Sequence, residues 1–233
     1  MIRSIVGLLT VVFLGSHAHA LHLTDRQLAV GGAVDVSSAQ KTAAKMLAMD
    51  AEAEAPIYLM ISSTRGSAQG VMLLADTVHA LKSPVVAVVQ TEVHGAGAAL
   101  SVLTDRLVMF RSSGLVFTEV PYEGVKKHKP PTDGAKEKNK ELTKGETFLQ
   151  EVRKTYLAQF WSRVAKRIKM KADAVQKQMD AGGFHWNARQ VLKKKVAHSV
   201  VENLQYTKLP EGKTEVKTTT TVKTDRALPP TRD

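Results

Sequence analysis

Residues 57–67 read IYLMISSTRGS, an apolar run of five residues that passes directly into a polar turn containing a glycine. Pro56 precedes the run, and runs of this kind are typical of strands that are buried on both faces of a parallel sheet. Ser67 is placed to cap a helix. The apolar positions that follow it recur at helical spacing, namely Val71, Leu74, Ala75, Val78 and Leu81. A buried strand, a turn and an amphipathic helix are therefore predicted in succession.

The same alternation of strand and helix extends towards the N-terminus. Residues 28–34 predict a strand that is closed by Gly31 and Gly32. Ser37 and Ser38 are then placed to cap a second helix. Its apolar positions are Ala39, Ala43, Met46 and Leu47.

The pattern continues towards the C-terminus. Residues 85–89 predict a third strand, residues 95–100 a turn that enters a helix of small residues, and residues 106–110 and 115–118 two further strands. Strands that alternate with helical patterns indicate βαβ units. The predicted fold class is therefore α/β, with repeated βαβ units and a largely parallel sheet.

Composition excludes several classes of function. The chain has 233 residues, no cysteine, 5% aromatic residues and a net charge of +11. Without cysteine there is no disulfide scaffold, no thiol nucleophile and no thiolate zinc site. The low aromatic content argues against a platform on which nucleic-acid bases stack.

The first twenty residues resemble a secretory signal. Arg3 gives a positive start, residues 5–14 are largely apolar, and residues 18–20 read AHA, the small-x-small form of a signal-peptidase site. The alternative is an uncleaved anchor, but the apolar run has about ten residues whereas a membrane crossing needs roughly 20. We predict cleavage near Ala20 and a periplasmic or secreted mature protein that begins near Leu21.

The charge surplus lies in the C-terminal half. Residues 125–195 contain 19 Lys and Arg against 7 Asp and Glu, a net charge of +12. Within one domain spanning residues 21–209, we predict a basic exposed loop at 125–146 and a long amphipathic helix at 147–170. Shorter elements are predicted at 172–181 and 188–194 (helices) and at 196–201 (a strand). Residues 210–233 lack periodicity and are predicted to be a disordered tail.

The order and spacing of these segments resemble a known family. Residues 31–35 (GGAVD), 57–67, 84–89 (PVVAVV) and 95–98 (GAGA) resemble the ClpP family of serine peptidases, whose wider clan includes signal peptide peptidase A and the crotonases. The resemblance covers about residues 28–202. It implies a ClpP/crotonase-like fold in which the long helix is the "handle" through which subunits assemble.

The resemblance also implies which residues occupy the catalytic positions. Gly95 stands where the family has its nucleophilic serine, Thr118 where it has its histidine base, and Gly182 where it has its aspartate. A glycine has no side chain that can attack, and a threonine is no base near neutral pH. The family's peptidase mechanism is therefore expected to be lost. In the oxyanion loop, Arg65 replaces a glycine.

The sequence offers three other kinds of site. Ser62, Ser63 or Thr118 could act as the nucleophile with His94 and Glu92 in a rebuilt hydrolase, as an active serine-type endopeptidase or a signal-peptide-peptidase-like enzyme. We favour the alternative that His94 and Glu92 pair only with each other. A crotonase-like acyl-thioester enzyme could use backbone N–H groups of Gly66 and of Gly95 or Ala96. The histidines lack ligand spacing, so neither a metal nor a cofactor is predicted.

We therefore predict an exported ClpP-like pseudoprotease that binds a peptide or protein, or serves in assembly. Its groove would lie between residues 62–67 and 94–97, lined by Arg65, Gly66, Ser67, Gly95 and Ala96. The handle predicts a homo-oligomer. The basic residues between Lys126 and Lys195 could meet an anionic lipid, cell wall or acidic protein. No nucleic-acid reader motif is present, so a nucleic-acid partner is not expected.

Overall fold

The computed structural model of the chain describes residues 20–123 and 144–206. The predicted signal (1–20) up to residue 19, the predicted tail (210–233) and residues 125–143 of the predicted basic loop (125–146) lie outside the described residues. In chain order the elements are β1 (Ala20–Leu23), β2 (Gln27–Val30), β3 (Ala33–Val34), α1 (Val36–Glu52), β4 (Ile57–Ile61), β5 (Arg65–Gly66), α2 (Ala68–Ala80), β6 (Val85–Val89), β7 (Glu92–His94), α3 (Ala96–Leu103), β8 (Arg106–Phe110), β9 (Gly114–Phe117), α4 (Lys144–Arg167), α5 (Ala172–Asp180), β10 (Phe184–Asn187), α6 (Ala188–Lys193), β11 (Ser199–Val201) and β12 (Asn203–Tyr206).

Five strands form a central parallel sheet in the order β11, β8, β6, β4, β2. Successive side chains of a strand point to opposite faces, so each strand contributes to two apolar layers. One layer packs against helices α1, α2 and α3, and includes Ile57, Leu59 and Ile61. The predicted α/β class, with repeated strand and helix units, is confirmed.

The opposite face of the sheet carries a second, smaller apolar cluster. Tyr58, Met60, Val88 and Val108 belong to it, and Leu23 of β1 covers them. Strand β1 pairs in parallel with β12, so the first and last described strands form a two-stranded sheet over this face. The sequence did not predict this pair, because both strands are short and their partner is remote in sequence.

The start of the chain departs from prediction at two points. The predicted strand 28–34 is split into β2 and β3, since Gly32 adopts a positive φ of 70°. Helix α1 is capped by Asp35 rather than by Ser37 or Ser38, and Ser38 supplies the reciprocal bond of a capping box. Hydrogen bonds from the Ser38 backbone N–H and hydroxyl to the Asp35 carboxylate lower the pKa of Asp35. Leu47, predicted on the buried stripe, is 52% exposed.

Helix α4 begins earlier and ends earlier than the predicted 147–170, so residues 144–146 are helical rather than part of the loop. Glu146 in the first turn favours this start, because a negative charge complements the helix dipole. The helix ends where Lys169 takes a left-handed conformation, with φ 58°. Met170 N–H then donates to Ala165 O and Lys169 N–H to Lys166 O, the pair of bonds that defines a Schellman motif.

A second sheet of three strands has the order β10, β9, β7. Strand β7 is parallel to β9, whereas β10 is antiparallel to it. Strands β7 and β10 were not predicted as such. This small sheet places the end of β7 beside the end of β9, and both lead into the candidate site.

In the described parts of the chain, no helix has the length and apolar character to cross a membrane.

A buried arginine closes the C-terminal end of α1. Arg26 is 7% exposed, and its guanidinium donates to the carbonyls of Met49, Ala53 and Ala55. The carbonyls of Ala53 and Ala55 lie just beyond the helix, and Met49 O also accepts from the Ala53 backbone N–H, so the guanidinium cation at this end complements the helix dipole. Arg26 therefore ties the turn before β2 to the end of α1.

Replacing this side chain is expected to destabilise the fold. Arg26→Ala should lower the free energy of unfolding by about 3 kcal/mol, because three partly buried carbonyls lose a charged donor. Urea denaturation followed by circular dichroism measures the change. Arg189→Ala, at an exposed position of α6, is the matched control and should fall within about 0.5 kcal/mol of the wild type. Equal stability of the two variants would contradict this role of Arg26.

Candidate functional site

The site is built around a sharp turn between β7 and α3. Gly95 forms this turn with φ 47° and ψ −107°, a backbone conformation that is strained for any residue with a side chain. Gly95 N–H donates to Val116 O at 2.9 Å, and Gly95 O accepts from Ala99 N–H at 2.9 Å. A strand, a strained turn and a helix in succession constitute the elbow that presents a nucleophile in serine hydrolases. Here the elbow carries no side chain.

The structure brings Gly95 and Thr118 together. A Cβ atom built on Gly95 would lie 3.1 Å from Thr118 Oγ1. Thr118 follows β9, which pairs with β7, so the parallel register of these two strands sets this distance. The positions that the resemblance assigns to the nucleophile and the base are therefore adjacent, but Gly95 carries no nucleophile and Thr118 carries no base.

The third assigned position has a structural use. Gly182, with φ 98°, ends α5 in a Schellman motif, in which Gly182 N–H bonds Met179 O and Gly183 N–H bonds Gln178 O. A side chain on Gly182 would meet nothing within 4 Å. Gly183 is the glycine that lies directly against Thr118, since its added Cβ would overlap Phe117 O and stand 3.3 Å from Thr118 Cα.

The oxyanion-like loop is in contact with the elbow. Gly66 has φ 151°, and a Cβ atom there would lie 2.5 Å from Val34 O and 2.8 Å from Ala96 Cβ. Gly66 therefore sits against Ala96, the first residue of α3. Arg65 next to it is exposed, and Ser67 is the predicted N-cap of α2, accepting from Gly70 N–H at 3.2 Å.

The two candidate serines differ in environment. Ser63 is fully buried, and its hydroxyl lies 2.7 Å from Gly32 O and 2.8 Å from Arg65 O. These hydrogen bonds hold the loop in place, so the Ser63 hydroxyl is not available to attack a substrate. Ser62 is exposed, and its Oγ lies 3.4 Å from where a Cβ on Gly31 would stand. Among the described residues, neither hydroxyl contacts the imidazole of His94.

Glu92 lies between two histidines. His94 Nε2 is 2.9 Å from Glu92 Oε1, and His185 Nε2 is 3.6 Å from Glu92 Oε2. His94 and His185 both pair with Val116 across β9, so they share one row of the three-stranded sheet. Gly114 makes this contact possible, because a Cβ atom there would lie 2.6 Å from His185 Nε2.

Sequence reasoning missed His185 at this site. It comes from β10, far along the chain, and only the antiparallel pairing of β10 with β9 brings it next to Glu92. The signal in the sequence that could have found it is the glycine pair Gly182 and Gly183, which indicates a turn before a strand that begins at Phe184. The two histidines contact different oxygens of one carboxylate. Across residues 20–123 and 144–206, no cluster of three such side chains is arranged to hold a metal ion.

Residues 62–67 and 94–97, between which the groove is predicted, are in contact. His94 N–H donates to Ser63 O at 3.3 Å, and a Cβ atom on Gly97 would overlap the same carbonyl. A Cβ atom on Gly66 would lie 2.8 Å from Ala96 Cβ. The two segments therefore approach each other closely, and the binding of a peptide along these residues stays a prediction.

Comparisons with known proteins are consistent with this architecture. A family model described as Clp protease matches residues 16–203. Among solved structures, a mutant of ClpP1 from Listeria monocytogenes is similar to this chain with a TM-score of 0.60 and 12% sequence identity, and the match covers 76% of this chain and 92% of the other. No curated protein matches. The family and the fold expected from the sequence are confirmed.

The contact between α3 and the loop after β4 gives a stability prediction. Gly97→Ala should lower the free energy of unfolding by about 3 kcal/mol, since the new methyl group overlaps Ser63 O and has no flexible neighbour to displace. Thermal and urea denaturation measure the effect. Gly145→Ala is the control, because a methyl group there meets nothing within 4 Å and alanine favours helix by about 0.5 kcal/mol or more. A Gly97→Ala variant as stable as Gly145→Ala would contradict the packing described.

Proposed function

The chain belongs to the Clp protease family, and we propose that within this family it is a non-catalytic component that binds another protein chain and assembles with copies of itself. The observation that carries the first half of the proposal is Gly95. The elbow is folded around this residue with its hydrogen bonds intact, and the residue offers no nucleophile.

The chemistry of the site supports the same conclusion. Acyl transfer needs a nucleophile, a base within hydrogen-bond reach and donors for the oxyanion. Only the donors have counterparts here, at Gly66 and Ala96. Thr118, which stands in place of the base, has no basic group, and Gly182 is occupied as a helix cap. Two of the three requirements are therefore absent at once.

A rebuilt hydrolase is the second candidate, and the ion pair of Glu92 with His94 favours it, because a carboxylate can orient an imidazole. Ser62, which is exposed, would have to be the nucleophile, as Ser63 is bonded to two carbonyls. A crotonase-like enzyme would use the N–H groups of Gly66 and Ala96, but the Glu92 carboxylate lies between two imidazoles rather than beside these donors.

Helix α4 supports the assembly half of the proposal. Its C-terminal part is buried through Phe160, Val164 and Ile168. Its N-terminal part leaves apolar side chains in solvent, with Phe148 63% and Leu149 57% exposed. A chain that stayed monomeric would keep this contiguous apolar surface in water, which is unfavourable.

The apolar stripe on α4 fits pairing with a second copy. Phe148, Leu149 and Val152 form this stripe, and Val152 is 37% exposed. If two α4 helices pack antiparallel along the stripe, the same three side chains of each copy face each other, so the twofold arrangement is self-complementary in shape. This is the mode of assembly that we propose.

The basic surface and export remain part of the proposal. Lys171, Lys177 and Lys193 to Lys195 are exposed in the described part of the basic segment. Lys194 lies over the Trp186 ring at 4.6 Å from its centroid. These cations could steer the assembled protein to an anionic lipid, cell wall or acidic protein. The signal-like residues 1–20 support export to the periplasm or the medium.

Loss of catalysis is tested with a serine-directed fluorophosphonate and fluorescein-labelled casein. The purified mature protein should be neither labelled nor active, because in residues 20–123 and 144–206 no serine hydroxyl is hydrogen-bonded to a histidine, and Ser67, which donates to Glu123, is buried. Labelling that disappears in Ser62→Ala, together with casein cleavage that disappears in His94→Ala, would contradict the proposal and establish the rebuilt hydrolase.

A gain-of-function variant is the positive control. Gly95→Ser combined with Thr118→His and Gly182→Asp returns the three side chains to the elbow. Fluorophosphonate labelling of this variant is expected, since the oxyanion-like backbone is already in place. Circular dichroism checks that the variant is folded, because serine at the Gly95 conformation costs about 1–3 kcal/mol. A folded but unlabelled variant would contradict the assignment of Gly95 as the nucleophile position.

Assembly is tested on the stripe of α4. Phe148→Glu with Leu149→Glu should weaken self-association at least about thirtyfold, since two apolar contacts worth about 2 kcal/mol together become buried charges. Sedimentation velocity at micromolar concentration measures the change. Leu192→Glu on α6 is the matched control, because Leu192 is also exposed, at 42%, and lies outside the stripe. A wild-type protein that sediments as a monomer would contradict the assembly proposal.

A further inference from the structure

We infer that residues 119–123, named the strap, are held across the elbow by a latch at Glu123, and that this latch closes the cleft beside Gly95 to an extended chain. The inference rests on the proposed binding function and adds a means of controlling it. The strap directly follows Thr118 and ends at the last described residue before position 124.

The strap passes over the elbow. Val120 is 1% exposed, and its Cγ2 atom lies 3.8 Å from where a Cβ on Gly95 would stand. The carbonyl of Glu119 is at the same distance from that point. The space next to Gly95, which a substrate would enter in an active relative, is therefore partly filled by the protein itself.

Backbone contacts fasten the strap to α2. Pro121 O accepts from Ala68 N–H at 2.9 Å, and Ala68 is the first residue of α2. Gln69 then brackets Glu123, since its Nε2 donates to Glu123 O at 3.1 Å and its Oε1 accepts from Glu123 N–H at 2.8 Å. An extended peptide could form such bonds only if the strap released these groups.

The Glu123 carboxylate locks the end of the strap. Its Oε2 accepts from Val36 N–H at 3.1 Å and from the Ser67 hydroxyl at 3.0 Å. Val36 is the first residue of α1, and Ser67 is the N-cap of α2. One carboxylate therefore serves the N-terminal ends of two helices, where negative charge is favoured by both dipoles.

Several contacts of the latch can be broken at little cost. Its contacts at Val36 and Gln69 are exposed to solvent, so water can replace each of them at little cost. The middle of the strap rests on α4 through Tyr122, whose ring meets that of Tyr156 edge-on at 5.4 Å. Release of Glu123 would therefore free the end of the strap, and opening of the cleft requires Val120 to leave the main apolar core as well.

Amide hydrogen exchange on the mature protein tests the latch. In Glu123→Ala and in Gln69→Ala, the amides of the strap and of Ala68 should exchange at least about tenfold faster, while those of β4 and β6 keep their wild-type rates. Glu52→Ala, which removes an exposed carboxylate from the other end of α1, is the matched control and should change neither set. Unchanged strap amides would overturn the latch. Acceleration of all amides together would also overturn it, because Glu123 would then stabilise the whole fold.

Fluorescence anisotropy of fluorescein-labelled β-casein measures binding at the cleft, independently of the amide-exchange measurement. Glu123→Ala should bind the casein at least about fivefold more tightly than the wild type and Glu52→Ala do. If the strap amides accelerate but the affinity does not change, the strap does not guard the cleft, and the gating claim fails. If no variant binds casein although the strap opens, the proposed peptide binding fails as well, and the exchange data still report the latch.

Discussion

The structure depends on the close approach of backbone segments at three glycines. Gly66 and Gly70 lie against Val34 O, and Gly97 lies against Ser63 O. A Cβ atom added at any of these glycines would come within 2.5 Å of the carbonyl oxygen. These contacts join β3, the loop after β4, and the N-terminal ends of α2 and α3. Because the approach leaves no room for side chains, the position of the elbow is fixed by backbone geometry alone.

This constraint explains how the elbow folds without a side chain at Gly95. The turn at Gly95 is held by its bonds to Val116 and Ala99, and the loop after β4 by the buried Ser63 hydroxyl. None of these bonds involves a side chain at Gly95, Thr118 or Gly182. The scaffold and the chemistry are therefore separable, and the freed positions can serve other purposes, as Gly182 does in capping α5.

The polar side-chain contacts at the rim of the site are exposed and breakable, unlike the close backbone contacts that form its frame. Glu92 bridges His94 and His185 over Gly114, and Glu123 bridges the beginnings of α1 and α2. Both carboxylates are exposed and join segments that are distant in sequence. Exposed contacts of this kind add little to stability but can be made and broken individually. The frame therefore keeps the site in place, while the rim can change with what binds there.

The sequence by itself determined the α/β class, most strands of the central sheet, the cap of α2 at Ser67 and the family, because these depend on local periodicity and on the order of segments. The resemblance also predicts that Gly95, Thr118 and Gly182 stand at the family's catalytic positions, and this stays a prediction. Only the tertiary structure decided that Asp35 caps α1, that His185 joins Glu92, that residues 62–67 and 94–97 are in close contact, and that the strap crosses Gly95. Each of these is a contact between remote segments, and strand pairing and backbone approach, which no local pattern encodes, determine which segments meet.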